Sequence, residues 1–214
     1  ARSGNCNGRT QGGSNAEIVI ADAFAKGLSG IDYEHALKAM IKDAEVAPVD
    51  AEKEGRGGIA EYNSLGYIPY GIDRAGNRTV EYSYDDWCIA QVAKGLGHNA
   101  LYAKYLKRSG NWHNLWRSDY QWQGMRGFIM PRGAYGNWLD SVVWGKSKVY
   151  HPLIPYTPDT KVAPWYIPWW GTFFYEALSA EYSLSIPHDV NGLIQACGGK
   201  TQFIKRLDTF FDNN

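Results

Sequence analysis

The chain has 214 residues, and its 22 Lys plus Arg balance its 22 Asp plus Glu, so the formal net charge is zero. A chain of this length buries a real core and makes one domain or at most two. The charge balance leaves no basic footprint, which excludes nucleic acid as an expected partner, and no block of like charge that would mark a solvated tail. The longest apolar uncharged stretch, residues 162–175, is too short to span a membrane and is interrupted by prolines.

Helical hairpins are expected first. Ser14 with Glu17 three residues on has the form of a capping box. It precedes an apolar face of Ile18, Ala21 and Ala25, widened by Ile20 and Phe24. The helix should stop at Gly27, with Leu28 folding back on it. Asp32 then caps a second helix, in which Leu37, Met40, Ile41 and Ala44 recur at helical spacing. The same grammar returns over residues 81–97 and 98–116. The tetrapeptide Ala-Lys-Gly-Leu stands at 25–28 and again at 93–96, each time joining one helix to the next across a glycine. That is a modest internal repeat of αα-hairpins.

Residues 117–170 break this pattern. Five of the nine prolines fall between 152 and 168, and eight of the nine tryptophans between 112 and 170. The region reads as long ordered loops, with short strands at most, laid across one end of a helical body; long loops in a compact domain are usually functional. Helices resume over residues 173–184, then 188–197 ending at Gly198-Gly199, then 201–212. In the last, Phe203, Ile204, Leu207, Phe210 and Phe211 make an apolar face. The expected fold class is all-α, with residues 1–214 belonging to one domain. Part of an α/α toroid and a plain helical bundle both satisfy this periodicity.

Cys6, Cys88 and Cys197 show neither a CxxC nor a Cys/His metal spacing. Cys88 and Cys197 sit in apolar helical contexts and read as buried thiols. Asn77-Arg78-Thr79 is a glycosylation sequon that points to a secretory route. No secretory signal is visible and the chain begins with Ala, so either a segment was removed before Ala1 or this is a piece of a longer polypeptide.

Tryptophan and tyrosine rings in long loops are what sugar sites use, because an aromatic face offers area and a fixed shape to a pyranose. Glycoside hydrolysis also needs two carboxyl groups, one of them held protonated by an apolar setting. Glu176 follows Trp169-Trp170-Gly171-Thr172-Phe173-Phe174-Tyr175, and such neighbours should desolvate it and raise its pKa. The plainer reading makes it a first-turn helix glutamate stabilised by the helix dipole. Asp85 and Asp86 beside Trp87 suit sugar hydroxyls, but the residues alone favour a helix surface and hairpin hydrogen bonds. Pro187, His188 and Asp189 read as a helix start. No P-loop, GxSxG or HExxH is present.

Several of these segments occur together and in order in one family. Residues 12–40, with Asp22-Ala23 and Lys26-Gly27, are followed by Leu65-Gly66-Tyr67-Ile68-Pro69-Tyr70. Then come the Glu81-Tyr82-Ser83-Tyr84-Asp85-Asp86-Trp87 segment and the stretch from Tyr175-Glu176 through Pro187-His188-Asp189 to Gly199. The chain resembles glycoside hydrolase family 92, the calcium-dependent exo-acting α-mannosidases. The resemblance covers nearly all of this sequence but only the middle of the family's catalytic module. It implies an (α/α)6 toroid preceded by a β-sandwich domain, with residues 117–170 as loops over the toroid end. It implies a secreted, inverting enzyme that binds Ca²⁺ and releases terminal mannose from mannose-containing glycans, with α-1,2 among the linkages.

The resemblance places the general acid, which protonates the leaving glycosidic oxygen, on Glu176. Glu181 would help to orient the sugar or calcium-bound groups, and Asp85, Asp86 and Trp87 would contribute to substrate binding. Two departures from the family pattern stand at Ala177, where glycine is common, and Ala180, where an aromatic is common. The segments expected to carry the general base and most of the calcium shell lie outside this chain. They would come from the rest of the module or a companion chain, and without them the chain would be inactive. A non-catalytic sugar-binding or scaffold piece, and another α/α-toroid carbohydrate enzyme, are the competing expectations.

Overall fold

A computed structural model describes residues 14–50, 54–139, 141–144, 147–150, 173–175 and 177–212, with 141–144 and 147–150 as backbone only. The chain divides into two compact units. One is Ala1–Ile68 with Arg78–Trp112, and the other is Pro69–Asn77 with His113–Asn214.

The first unit holds α1 (Ala16–Ala25), α2 (Tyr33–Glu45), α3 (Ile59–Leu65), most of α4 (Ala75–Gly95) and α5 (Asn99–Arg108). Leu37, Met40, Ala44, Ile89, Val92 and Tyr105 form its apolar core. Most of the local signals behave as expected. The Asp32 carboxylate accepts from the His35 N–H at 2.9 Å and caps α2. At the end of α1, Gly27 lies at φ 66° and the Leu28 N–H reaches back to the Ala23 carbonyl at 3.1 Å, the two marks of a Schellman end. The Ala-Lys-Gly-Leu repeat does not keep its register, however. In the second copy Gly95 is still helical, and the left-handed residue is Gly97, with His98 N–H closing on the Ala93 carbonyl at 2.8 Å.

Polar groups occupy the middle of this unit. Arg56 has no exposed surface and sits among carboxylates from three helices: Asp86 at 2.9 Å, Glu17 at 3.5 Å and Asp43 at 3.6 Å. Asp86, also fully buried, accepts from Arg56, from the Tyr62 hydroxyl at 3.0 Å, and from Arg108 at 2.6 and 2.9 Å. Asp85 accepts from the Ser14 N–H at 3.1 Å, and its second oxygen is buried without a hydrogen-bond partner among the described residues. The expected capping box at Ser14 and Glu17 is absent: Asn15 is the N-cap and makes no side-chain cap bond. The Ser14 hydroxyl instead contacts Glu17 at 2.6 Å and Asp43. One hydroxyl hydrogen cannot be donated to both; burial raises the pKa of Glu17, with Arg56 opposing. Removing one partner from a buried ion pair strands the other, at about 3–5 kcal/mol.

Past α5 the chain departs from the all-helical expectation. α5 ends at Arg108, not near residue 116. Ser109-Gly110-Asn111 are poor helix formers, and the chain tightens into a 3-10 turn over Ser109–Leu115. An antiparallel hairpin follows, β1 (Trp116–Trp122) and β2 (Met125–Ile129), paired Trp116 to Ile129 and Trp122 to Met125 with an irregularity between Arg117 and Gln121. Its two-residue turn, Gln123-Gly124, has φ of 48° and 74°, the double positive φ that tight hairpins require. A second hairpin pairs β3 (Ser141–Trp144) with β4 (Ser147–Tyr150). The short strands allowed for in the loop region are thus two hairpins among the described residues.

The expected helix over 173–184 shrinks to α6 (Ser179–Tyr182), while α7 (Val190–Ala196) and α8 (Lys200–Asp212) match expectation closely. The short α6 is explained by its ties to β2. Ser179 Oγ donates to the Ile129 carbonyl at 2.5 Å and Ser183 Oγ accepts from the Ile129 N–H at 2.8 Å. Asp189 caps α7 by accepting from the Gly192 N–H at 2.9 Å. Cys88 and Cys197 are buried free thiols, as expected, and Cys6 lies outside the described residues. Asn77 needs correction: it lies within α4 with no exposed surface, which does not suit a glycan acceptor.

Candidate active site

Glu176 itself lies outside the described residues. Its sequence neighbours are well placed. Phe173, Phe174 and Tyr175 are all buried and Ala177 is half-buried. Phe173 packs edge-on against Phe174 at 4.9 Å, and Phe174 stacks on Tyr182 at 5.3 Å and 11°. The Tyr182 hydroxyl donates to the Tyr175 carbonyl at 2.8 Å, fastening the segment to α6. Residues 173–175 are bends rather than helix, Leu178 is extended, and α6 starts only at Ser179. The described helix that follows Glu176 in the chain is thus α6, beginning three residues later at Ser179.

Glu181 fills the role of a first-turn helix glutamate. Its carboxylate accepts from the Leu178 N–H at 2.9 Å, satisfying the open N-terminus of α6. Asp85 and Asp86 do not fit sugar binding either. Both have no exposed surface, and their oxygens serve Ser14, Arg56, Tyr62 and Arg108 within the first unit. Trp87 is half-buried against the same apolar core, tilted 32° to Tyr84. These three residues hold the helices together, because adjacent acids on a buried helix face need guanidinium partners more than ligands. His188 and Asp189 stand at the start of α7 as expected. Asp189 also lies 3.8 Å from His113, an imidazole that burial pushes below its ordinary pKa while Asp189 pulls it up.

Arg74 was not singled out from sequence. Its guanidinium lies 4.3 Å over the Tyr175 ring, its Nε is 3.4 Å from Asp73, and its φ is 55°. A non-glycine residue held at positive φ stores strain, and such residues gather at functional sites. The only hint in the sequence is its position between Gly71 and Gly76. Among the described residues no three or more His, Cys, Asp or Glu side chains converge to hold a metal ion. Calcium takes about six to eight oxygens, and the described residues do not supply such a set.

The model of the glycosyl hydrolase family 92 catalytic domain matches residues 1–214. The chain belongs to glycosyl hydrolase family 92. A secreted glycosidase of Arthroderma benhamiae, itself uncharacterized, is 39% identical over 227 residues, covering 98% of this chain and 27% of that protein. A family 92 inverting mannosidase from Bacteroides thetaiotaomicron superposes with a TM-score of 0.73 at 30% identity, covering 94% of this chain and 24% of that one. A family 92 α-mannosidase from the same bacterium, in complex with mannoimidazole, gives a TM-score of 0.72 at 30% identity, with 94% and 23% covered. The chain thus spans about a quarter of the length of the family 92 relatives it matches.

Proposed function

We propose that this chain is part of a glycosidase that releases terminal mannose from glycans, with Glu176 as the general acid. The observation that carries the assignment is local. Glu176 follows three buried aromatic residues, and the helix that could have used it begins at Ser179 with Glu181 as its cap. A carboxyl beside such an apolar segment favours its protonated form, as an acid for the leaving oxygen must. The rings of Tyr175 and Phe174, fixed by Tyr182 and by Arg74, restrict the conformations open to the segment that carries it.

The relatives support mannose as the sugar and inversion as the outcome, since mannosidases, one of them inverting, share this fold. In inverting hydrolysis a base activates water opposite the acid, about 6.5–9.5 Å away. That base comes from polypeptide outside this chain, as does the calcium shell. The helical pairs α1–α2 and α4–α5 form part of an (α/α)6 toroid, and the protein acts in the secretory route, as the Arthroderma relative does. Among mannosidic linkages we favour α-1,2.

The test is Glu176→Gln in the full-length enzyme. Hydrolysis of an unactivated mannoside should fall by roughly 10²–10⁴-fold, and of an aryl mannoside with an acidic leaving group much less. Rates near wild type on both would remove Glu176 from this role. Mannoside binding without turnover in the unaltered protein would instead favour a sugar-binding scaffold, the reading to which Ala177 and Ala180 lend themselves.

A further inference from the structure

The second unit contains a cavity of about 240 Å³ where the β1–β2 turn meets the α7–α8 corner. Three of the residues that line it are cationic, Arg126, Lys205 and Arg206, and none is acidic. Arg206 decides its character. It is 3% exposed, and its guanidinium is sandwiched between Phe128 at 4.3 Å and Trp116 at 5.4 Å. It donates to the Arg126 carbonyl at 2.8 Å and to the Gly127 carbonyl. No carboxylate among the described residues pairs with it; burial presses its pKa down and only the Cys197 thiol works against that. This contrasts with Arg56, equally buried, which has three carboxylates around it.

A buried cation without a counter-charge is costly, and the chain spends a second and third cation at the same place. Among the described residues, Arg126 donates from its Nε to the Ser118 carbonyl at 2.7 Å. Lys205 Nζ lies over the hairpin turn, 3.7 Å from where a Cβ on Gly124 would stand, and makes no ion pair among the described residues. The Gln202 amide and the Gly198 backbone complete the polar lining.

The geometry points to an oxyanion site here: the cavity takes a phosphate-like or carboxylate group, held by Arg126 and Lys205 at its mouth and by the field of Arg206 beneath. The group has two possible sources, a free anion or a carboxylate elsewhere in the same polypeptide. The site is separate from the segment around Glu176 in residues used, and the inference stands whether or not Glu176 is the acid.

The test uses the full-length protein and two variants, Lys205→Met and Arg126→Met, combined. Both substitutions keep an apolar stem and remove the charge, and neither touches the buried Arg206 on which folding depends. Thermal melts are taken against inorganic phosphate at constant ionic strength. A saturating rise of about 2 °C or more in the wild type, lost in the double variant, supports a free anion. A wild type blind to phosphate, beside a double variant that melts lower without it by a similar margin, supports a carboxylate already seated from the same polypeptide. A wild type blind to phosphate whose melting temperature the double variant leaves unchanged overturns the inference, and so does a phosphate effect of equal size in both proteins.

Discussion

Arg56 shows how far single residues carry this fold. Glu17, Asp43 and Asp86 surround it, Asp85 is close behind, and Arg108 is the second cation of the group. Acids outnumber guanidiniums, and the Ser14 hydroxyl contacts two of those acids, Glu17 and Asp43. Burial is the main cause that pushes Glu17 up to about 8 from 4.5, with Arg56 opposing it; Asp85 moves in the same direction for the same first cause. A carboxyl raised in the folded state holds its proton there after the unfolded chain has released it. Its contribution to stability is complete below the unfolded value and is lost as pH rises through the folded one. The full-length protein should therefore lose on the order of 1–3 kcal/mol of stability between about pH 5 and about pH 8. Glu17→Gln, which mimics the protonated acid, should flatten that slope. Identical slopes for the two proteins would show that Glu17 is ionised in the fold.

At the level of elements, the β1–β2 hairpin depends on one glycine. Gly127 has φ 81°, and a Cβ there would lie 2.6 Å from the Trp116 indole while its carbonyl is needed by Arg206. Gly127→Ala combines left-handed strain with overpacking and should cost about 2–4 kcal/mol in urea unfolding, against about 1–2 kcal/mol for Gly136→Ala, where φ is also positive (83°) but the nearest atom lies 3.5 Å away. A loss below 1 kcal/mol, on the order of thermal noise in such fits, would mean that the hairpin shifts freely. What sequence could show divides along the same line. The caps at Asp32 and Asp189 and the glycine ends at Gly27 and Gly198-Gly199 were legible, because each is settled by residues within about one helical turn. The hairpin hid behind Gln123-Gly124, a weaker turn signal than Asn-Gly. α3 hid as seven residues bracketed by left-handed glycines at 58 and 66.

At the scale of the whole molecule, long-range chemistry was the illegible part. The residues alone favour Asp85 and Asp86 as helix surface and hairpin hydrogen-bond partners over sugar ligands, but cannot name those partners, because Ser14 and Arg56 lie 71 and 30 residues away in sequence. Glu176 stood out in the sequence through its aromatic neighbours and the family motif, and its role as the acid remains the proposal made above; Arg74 left only the hint of its place between Gly71 and Gly76. The calcium proposed for the complete enzyme gives a test at this scale. Chelation should silence mannoside hydrolysis and added Ca²⁺ should restore it, whereas full activity in chelator would dismiss the ion. The Arg56 cluster has one more consequence, for how the first unit assembles. Its charges come from α1, α2, α4 and the stretch before α3, so any partly built arrangement of these helices leaves a guanidinium or a carboxylate dehydrated and alone. Half-formed intermediates are penalised most, and these helices should appear and vanish together in a single cooperative step.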